Sequence, residues 1–228
     1  MRANLVWGRR GPVEGAERSE EKKRKKRWLT LALGVVARPV GDFSNSADYQ
    51  YQTLRCNVDL LKLIQLGISF TDGTGTLKPG VCTWQFNMKF DLELDMYAQD
   101  SIDLLQRSGI DFEKHREMGI DVENFAELLI SSGLVLNPKI RWIAFHGGYD
   151  FAYLLRCMMG ANLPAEETEF FNAMALWFPC VYDIKHLMQA RGNNFNGGLN
   201  DLADMLQVVR IGPQHQVTAR LCCCVLCS

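Results

Sequence analysis

Residues 140–151 read Ile-Arg-Trp-Ile-Ala-Phe-His-Gly-Gly-Tyr-Asp-Phe, a strand-like apolar run that ends at a Gly-Gly pair. The apolar residues that surround and follow Asp150 predict a helix that begins close to it. A carboxylate at a junction between a buried strand and a helix is well placed to hold a metal ion. The alternative is that Asp150 caps the helix, because aspartate is a preferred N-cap residue. The spacing alone leaves both interpretations open.

Hydrophobic patterns predict a succession of strands and helices along the rest of the chain. Strands are predicted at 28–37, 63–71, 82–90 and 140–145, and helices at 46–61, 98–108, 120–132, 150–159, 166–176 and 198–206. The glycine-rich segment 72–80 predicts a hairpin, and 181–191 begins as a strand and becomes a helix. In the helix at 120–132, Phe125, Leu128 and Leu129 are expected on one face. Strands first, then strands alternating with helices, indicate an α/β fold with a mixed sheet.

The charge of the chain is unevenly distributed. With 228 residues and 47% hydrophobic residues, the chain can form one globular domain with a substantial core. Residues 1–30 hold ten Lys and Arg against four Asp and Glu, whereas the remainder holds fifteen against twenty-two. An acidic folded part does not favour nonspecific nucleic-acid binding, so RNA would need a local groove or bound metal ions.

The N-terminal segment and the cysteines bear on location. Residues 1–27 are predicted to be a disordered basic tail, and the run at 22–27 is either a nuclear-import signal or a solvated tail without a role. Four cysteines stand singly in apolar stretches, which is typical of reduced thiols in an intracellular protein (Cys56, Cys82, Cys157 and Cys180). No apolar run approaches the roughly 20 residues of a membrane span.

Short motifs spread over residues 34–216 carry a family resemblance. They include Phe-His-Gly-Gly-Tyr-Asp-Phe at 145–151 and further segments at 34–39, 48–52, 54–62, 83–87, 96–101, 178–179, 182–183, 197–199 and 211–216. Together they resemble the mRNA deadenylases that form the Pop-type catalytic subunit of the carbon-catabolite-repression/Not complex. These enzymes belong to the Asp-Glu-Asp-Asp exoribonuclease superfamily.

The resemblance implies a ribonuclease-H-like fold with a mixed sheet flanked by helices, truncated here at the C-terminus. It also implies a poly(A)-specific 3′-to-5′ exoribonuclease that uses two divalent ions such as Mg²⁺. Four carboxylates of the family surround these ions, because two close dications repel each other and prefer oxygen ligands. Asp150 matches the third of them and is the predicted catalytic and metal-binding residue. His215 matches a family motif position near the active site.

The other three carboxylates of the family are replaced in this sequence. Their positions fall on Leu29, Leu31 and Arg220, and the match stops abruptly at both ends. Altered ends joined to an intact middle would produce this pattern, with a deadenylase domain at 28–217 and a Cys-rich tail at 218–228. The predictions are weak or absent metal binding and a chain that is inactive or nearly so. Cys224 and Cys227 have metal-like spacing, but no second pair supports a zinc site.

Two functions are compatible with these observations: a deadenylase, or a non-catalytic binding module of the same complex. The resemblance implies poly(A) RNA, a Not scaffold protein and BTG/Tob-type proteins as partners, and a cytoplasmic and nuclear location. Residues 125–130 resemble the helix that docks on the scaffold, which makes Glu127 and Ile130 the predicted contacts. Asp183 is predicted to cap the helix that follows it, and His146 and His186 are predicted to be structural.

Overall fold

The computed structural model describes residues 37–40, 46–76, 83–190, 197–207 and 221–225. The predictions for Leu29, Leu31, His215, Arg220 and the basic run lie outside these residues. The helices are α1 (Ser46–Leu60), α2 (Gln99–Arg107), α3 (Phe112–Met118), α4 (Val122–Ser131), α5 (Gly148–Met159), α6 (Glu167–Trp177), α7 (Ile184–Ala190) and α8 (Leu199–Met205). The strands are β1 (Gln65–Thr71), β2 (Thr83–Asn87), β3 (Ile140–Ala144), β4 (Val181–Asp183) and β5 (Leu221–Val225).

The strands form one mixed five-stranded sheet in the order β2-β1-β5-β3-β4. The predicted hairpin is confirmed, because β1 and β2 pair antiparallel with Ile68 opposite Trp84. β3 and β4 pair parallel and are joined through α5 and α6. This crossover is what a parallel neighbour requires, and it brings the C-terminal ends of β3 and β4 to the same edge of the sheet.

Strand β5 lies at the centre of the sheet, between β1 and β3. It pairs parallel with β1 and antiparallel with β3, so that Cys223 is opposite both Phe70 and Trp142. The sequence predicts a separate tail at 218–228, whereas the structure places 221–225 inside the sheet. Pairing on both sides satisfies the backbone N–H and C=O groups of this segment.

Helix α5 is the central helix of the layer that covers the sheet. It packs against α1, α4 and α6 and buries Phe151, Leu154 and Leu155. On the facing side of β3, Trp142 is fully buried and meets the rings of Phe151 and Phe178 edge-on. None of the helices in the described ranges is long and apolar enough to cross a membrane.

The predicted helices are present, and two details differ from the prediction. Helix α3 is additional; it begins after Asp111, whose side chain accepts a hydrogen bond from the Lys114 backbone N–H. In α4, Phe125 and Leu129 are buried, but Leu128 is 68% exposed. Because each helical residue turns by about 100°, a buried face centred on Phe125, Ala126 and Leu129 leaves Leu128 on the rim.

Candidate functional site

The β3–α5 junction holds Asp150. Gly147 is the N-cap of α5, and Asp150 is half-buried in the first helical turn, three residues later. Asp150 therefore does not cap the helix, which corrects that interpretation of the sequence. A carboxylate in the first turn of a helix is stabilised by the positive end of the helix dipole. The buried side chains of β3 and α5 fix the strand and the helix on either side of this carboxylate.

The neighbouring junction, between β4 and α7, holds Asp183. Its Oδ1 accepts hydrogen bonds from the backbone N–H groups of Lys185 (3.0 Å) and His186 (3.3 Å). The prediction that Asp183 caps this helix is confirmed. The same carboxylate also accepts hydrogen bonds from the turn before α5, a role that the sequence did not reveal. The parallel pairing of the two strand ends could have indicated it only once the strand order was known.

His146 lies between these junctions. The Lys185 Nζ is 3.0 Å from His146 Nδ1. Because the Lys185 ammonium can only donate, Nδ1 acts as the acceptor in this contact. Partial burial, and then the Lys185 charge, lower the pKa of His146. Burial also lowers the pKa of Lys185. The structural role of this histidine stays a prediction.

Asp150 has no set of metal ligands around it in the part of the chain that the structure describes. Within those residues, no group of three or more His, Cys, Asp or Glu side chains could hold a metal ion. The described residues therefore do not fit a pair of metal ions. His215 lies outside them, so its position relative to Asp150 stays a prediction.

A second surface lies on α4, where the predicted partner contacts are. Glu127 is exposed, and Ile130 is 37% exposed. Together with Leu128 they form an outward face that is distinct from the buried face of α4. A shallow depression of about 500 Å³ borders it, lined by Asn124, Glu127, Leu128 and Ser131. The sequence indicated Glu127 and Ile130, but it placed Leu128 on the core face and missed it.

Comparison with known proteins gives consistent matches. The family model described as CAF1 family ribonuclease matches residues 122–220. A poly(A) ribonuclease, Pop2, of Schizosaccharomyces pombe is 57% identical over 183 residues, covering 80% of this chain and 54% of that protein. The Arabidopsis thaliana protein named "Probable CCR4-associated factor 1 homolog 7" is 53% identical over 189 residues, covering 80% of this chain and 68% of that protein. The chain thus spans about half the length of the S. pombe relative.

Solved structures confirm the predicted ribonuclease-H-like fold. S. pombe Pop2p in its Mg²⁺- and Mn²⁺-bound form matches with a TM-score of 0.78 and 57% identity, covering 81% of this chain and 73% of that chain. The structure of a yeast NOT1 MIF4G domain co-crystallized with CAF1 matches with a TM-score of 0.61 and 34% identity, covering 75% of this chain and 67% of that chain. The bound ions of the first structure support divalent metal in these relatives.

Proposed function

Because the chain belongs to the CAF1 family of ribonucleases, we propose that it carries the nuclease domain of a poly(A)-specific 3′-to-5′ exoribonuclease, an mRNA deadenylase. The observation that carries this proposal is Asp150, which the β3–α5 junction holds half-buried in the first turn of α5. In its present form the chain is inactive or nearly so, because the other three carboxylates of the family set are replaced.

The metal is the decisive part of this proposal. Two divalent ions close together repel strongly, and several carboxylates must surround them to make their binding favourable. One aspartate cannot offset that repulsion. We therefore expect at most weak binding of a single Mg²⁺ or Mn²⁺ ion, and no phosphodiester hydrolysis that depends on a metal pair.

Calorimetric titration and a trimming assay test these two expectations together. Titration with Mg²⁺ or Mn²⁺ should show no more than one weak site, and the 3′ end of a labelled oligo(A) should stay intact. The matched control is Asp150→Ala, which should abolish any weak site and leave the oligo(A) equally intact. Two sites with micromolar affinity, or trimming that Asp150→Ala abolishes, would contradict the proposed inactivity and would place the metal ligands elsewhere in the chain.

A second candidate function, a non-catalytic binding module, is favoured by the outward face of α4. The exposed Leu128 and Glu127 line a shallow depression, and the exposed Ile130 lies on the other flank of Glu127, so apolar side chains on both sides of this carboxylate are available to a partner. We propose that Glu127, Leu128 and Ile130 contact a Not-type scaffold. A structural relative was crystallised with the NOT1 MIF4G domain, which supports this type of partner. Binding of BTG/Tob-type proteins and a cytoplasmic and nuclear location stay predictions.

Binding to a purified NOT1 MIF4G domain tests this surface. The double variant Leu128→Ala, Ile130→Arg should weaken binding at least about tenfold, because truncating one hot-spot residue of an interface costs about 2 kcal/mol or more. Its melting temperature should stay near that of the unmodified chain, since both side chains are exposed. The control is Leu176→Arg, a 63% exposed leucine on α6. Equal weakening by the control would assign the binding to another surface.

A further inference from the structure

The carboxylate of Asp183 links two strand-to-helix junctions. Asp183 ends β4 and lies opposite Ala144, the last residue of β3. Its Oδ1 accepts the backbone N–H of His146 (3.0 Å) in addition to the two N–H groups at the start of α7, and its Oδ2 accepts the backbone N–H of Gly147 (2.9 Å). One side chain thus satisfies donors from two segments that are 36 residues apart in the chain.

The turn that Asp183 holds is not favourable by itself. His146 has a φ of 60°, in the left-handed region that residues other than glycine rarely adopt. At Gly147 there is no room for a side chain, because a Cβ would lie 2.6 Å from the Cβ of Ala144. Strained backbone of this kind persists only where its surroundings impose it, and the two hydrogen bonds that Asp183 accepts from this turn are contacts that do so.

We propose that Asp183 is the positioning residue for Asp150. By fixing the N–H groups of His146 and Gly147, it sets where α5 begins and therefore where its first turn directs Asp150. This inference rests on the proposed function, because Asp150 matters for chemistry only in a nuclease lineage. A cap that served α7 alone would need only Oδ1, whereas positioning requires the bond between Oδ2 and Gly147.

The variant Asp183→Asn separates these two roles. The amide oxygen can take the place of Oδ1 and keep the three bonds made there, whereas the amide nitrogen then faces the N–H of Gly147, donor against donor. A flipped amide would turn its nitrogen towards three donors and is less favourable. The start of α7 should therefore stay intact, and the bond to His146 should remain, while the turn before Asp150 loses its hydrogen bond at Gly147.

Amide hydrogen exchange, followed by NMR, measures the effect at single residues. In the unmodified chain the Gly147 amide should be protected. In Asp183→Asn it should exchange about ten- to a hundredfold faster, the factor that one hydrogen bond to a charged group is worth. The amides of Lys185 and His186 should change less than about threefold, and the side-chain carboxyl ¹³C resonance of Asp150 should shift.

One control and one replacement variant keep the outcome specific. Asp111→Asn alters another aspartate that accepts a backbone N–H at a helix start, and it should leave Gly147 and Asp150 unchanged. If Asp183→Asn does not fold, Asp183→Ser serves instead, because serine can cap α7 with one oxygen but cannot bridge to both segments.

Three results would overturn the positioning role: an unprotected Gly147 amide in the unmodified chain, equal acceleration at Gly147 and Lys185, or an Asp150 resonance that does not move. None of these measurements involves catalysis. The oligo(A) trimming assay therefore bears on the proposed function alone, and the exchange and resonance measurements bear on the positioning role alone.

Discussion

The sheet is held together differently at its centre and in its β3–β4 half. The β3–β4 half is covered by the layer around α5, where Trp142, Phe151 and Phe178 bring their rings within 5.0–6.2 Å of one another. The centre is β5, which comes from the last residues of the chain and joins β1 to β3 by backbone pairing. The β3–β4 half thus combines strand pairing with this aromatic packing, and the joining of β1 to β3 depends on one short strand that is distant from both in sequence.

Removing β5 should have the largest effect on stability. A chain that ends at Arg220 leaves facing edges of β1 and β3 unpaired, because within the described residues β5 alone joins them. We expect a loss of about 5 kcal/mol or more, which is the order of the whole free energy of unfolding of many domains. Urea unfolding followed by circular dichroism should show a non-cooperative transition or an aggregated protein.

Two further variants show whether the strand itself is responsible. A chain that ends at Val225 keeps β5 and should unfold like the unmodified chain. Cys223→Pro should destabilise far more than Cys223→Ser, because proline removes a backbone donor from a strand paired on both sides. An unchanged unfolding curve for the chain ending at Arg220 would show that the β3–β4 half is stable without its central neighbour.

Truncating Trp142 should have the next largest effect. Trp142→Ala should cost about 3–5 kcal/mol, as large-to-small changes of buried aromatic residues do. Trp142→Phe should cost less than about 2 kcal/mol. It keeps a ring against Phe151 and Phe178 and removes a buried indole N–H that has no hydrogen-bond partner among the described residues.

Urea unfolding of both Trp142 variants measures these free energies. The stability loss in Trp142→Ala measures the packing of the whole side chain, and the loss in Trp142→Phe measures the contribution of the indole N–H and of the size difference between the rings. A loss of unfolding free energy in Trp142→Phe as large as that in Trp142→Ala would mean that the indole N–H donates a hydrogen bond in the folded protein. It would then have to be bonded to a residue outside the described ranges.

Local sequence signals predict most of this architecture. Local hydrophobic patterns indicated α1, α2, α4 and α6, and the glycine-rich turn indicated the β1–β2 hairpin, because these elements are set by residues close together in the chain. The β3–α5 junction was predicted for the same reason, as a buried strand, a Gly-Gly turn and an apolar helix follow one another directly.

The features that the sequence missed depend on distant partners. The run Leu-Cys-Cys-Cys-Val has no alternation that distinguishes a strand from a tail, and its place depends on β1 and β3. The hydrogen bond that Asp183 accepts from the Gly147 N–H depends on the register of β3 and β4, which no local pattern encodes. The exposure of Leu128 depends on which side of α4 meets α5, and here Ala126 is buried in its place.

The smallest predicted effect concerns a polar link within the helical layer. The Tyr51 hydroxyl on α1 donates a hydrogen bond to the Pro164 carbonyl, and its ring lies 5.3 Å from that of Phe170 on α6. Tyr51→Phe keeps the ring contact and removes the hydrogen bond, so it should cost about 1 kcal/mol, measured by urea unfolding. A loss similar to that in Trp142→Ala would show that polar links, and not packing, dominate the helical layer.

The pH dependence of Tyr51 provides an independent check. Burial raises the pKa of Tyr51 to about 12, so the folded protein retains the phenolic proton more strongly than the unfolded chain does. The corresponding stability is fully present below pH 10 and declines as the pH rises towards 12. Burial also raises the pKa of Tyr149 and Tyr153, which contribute in the same direction. Tyr51→Phe should therefore make the alkaline decline of stability shallower without abolishing it. The same slope in both proteins would place the titration in other groups.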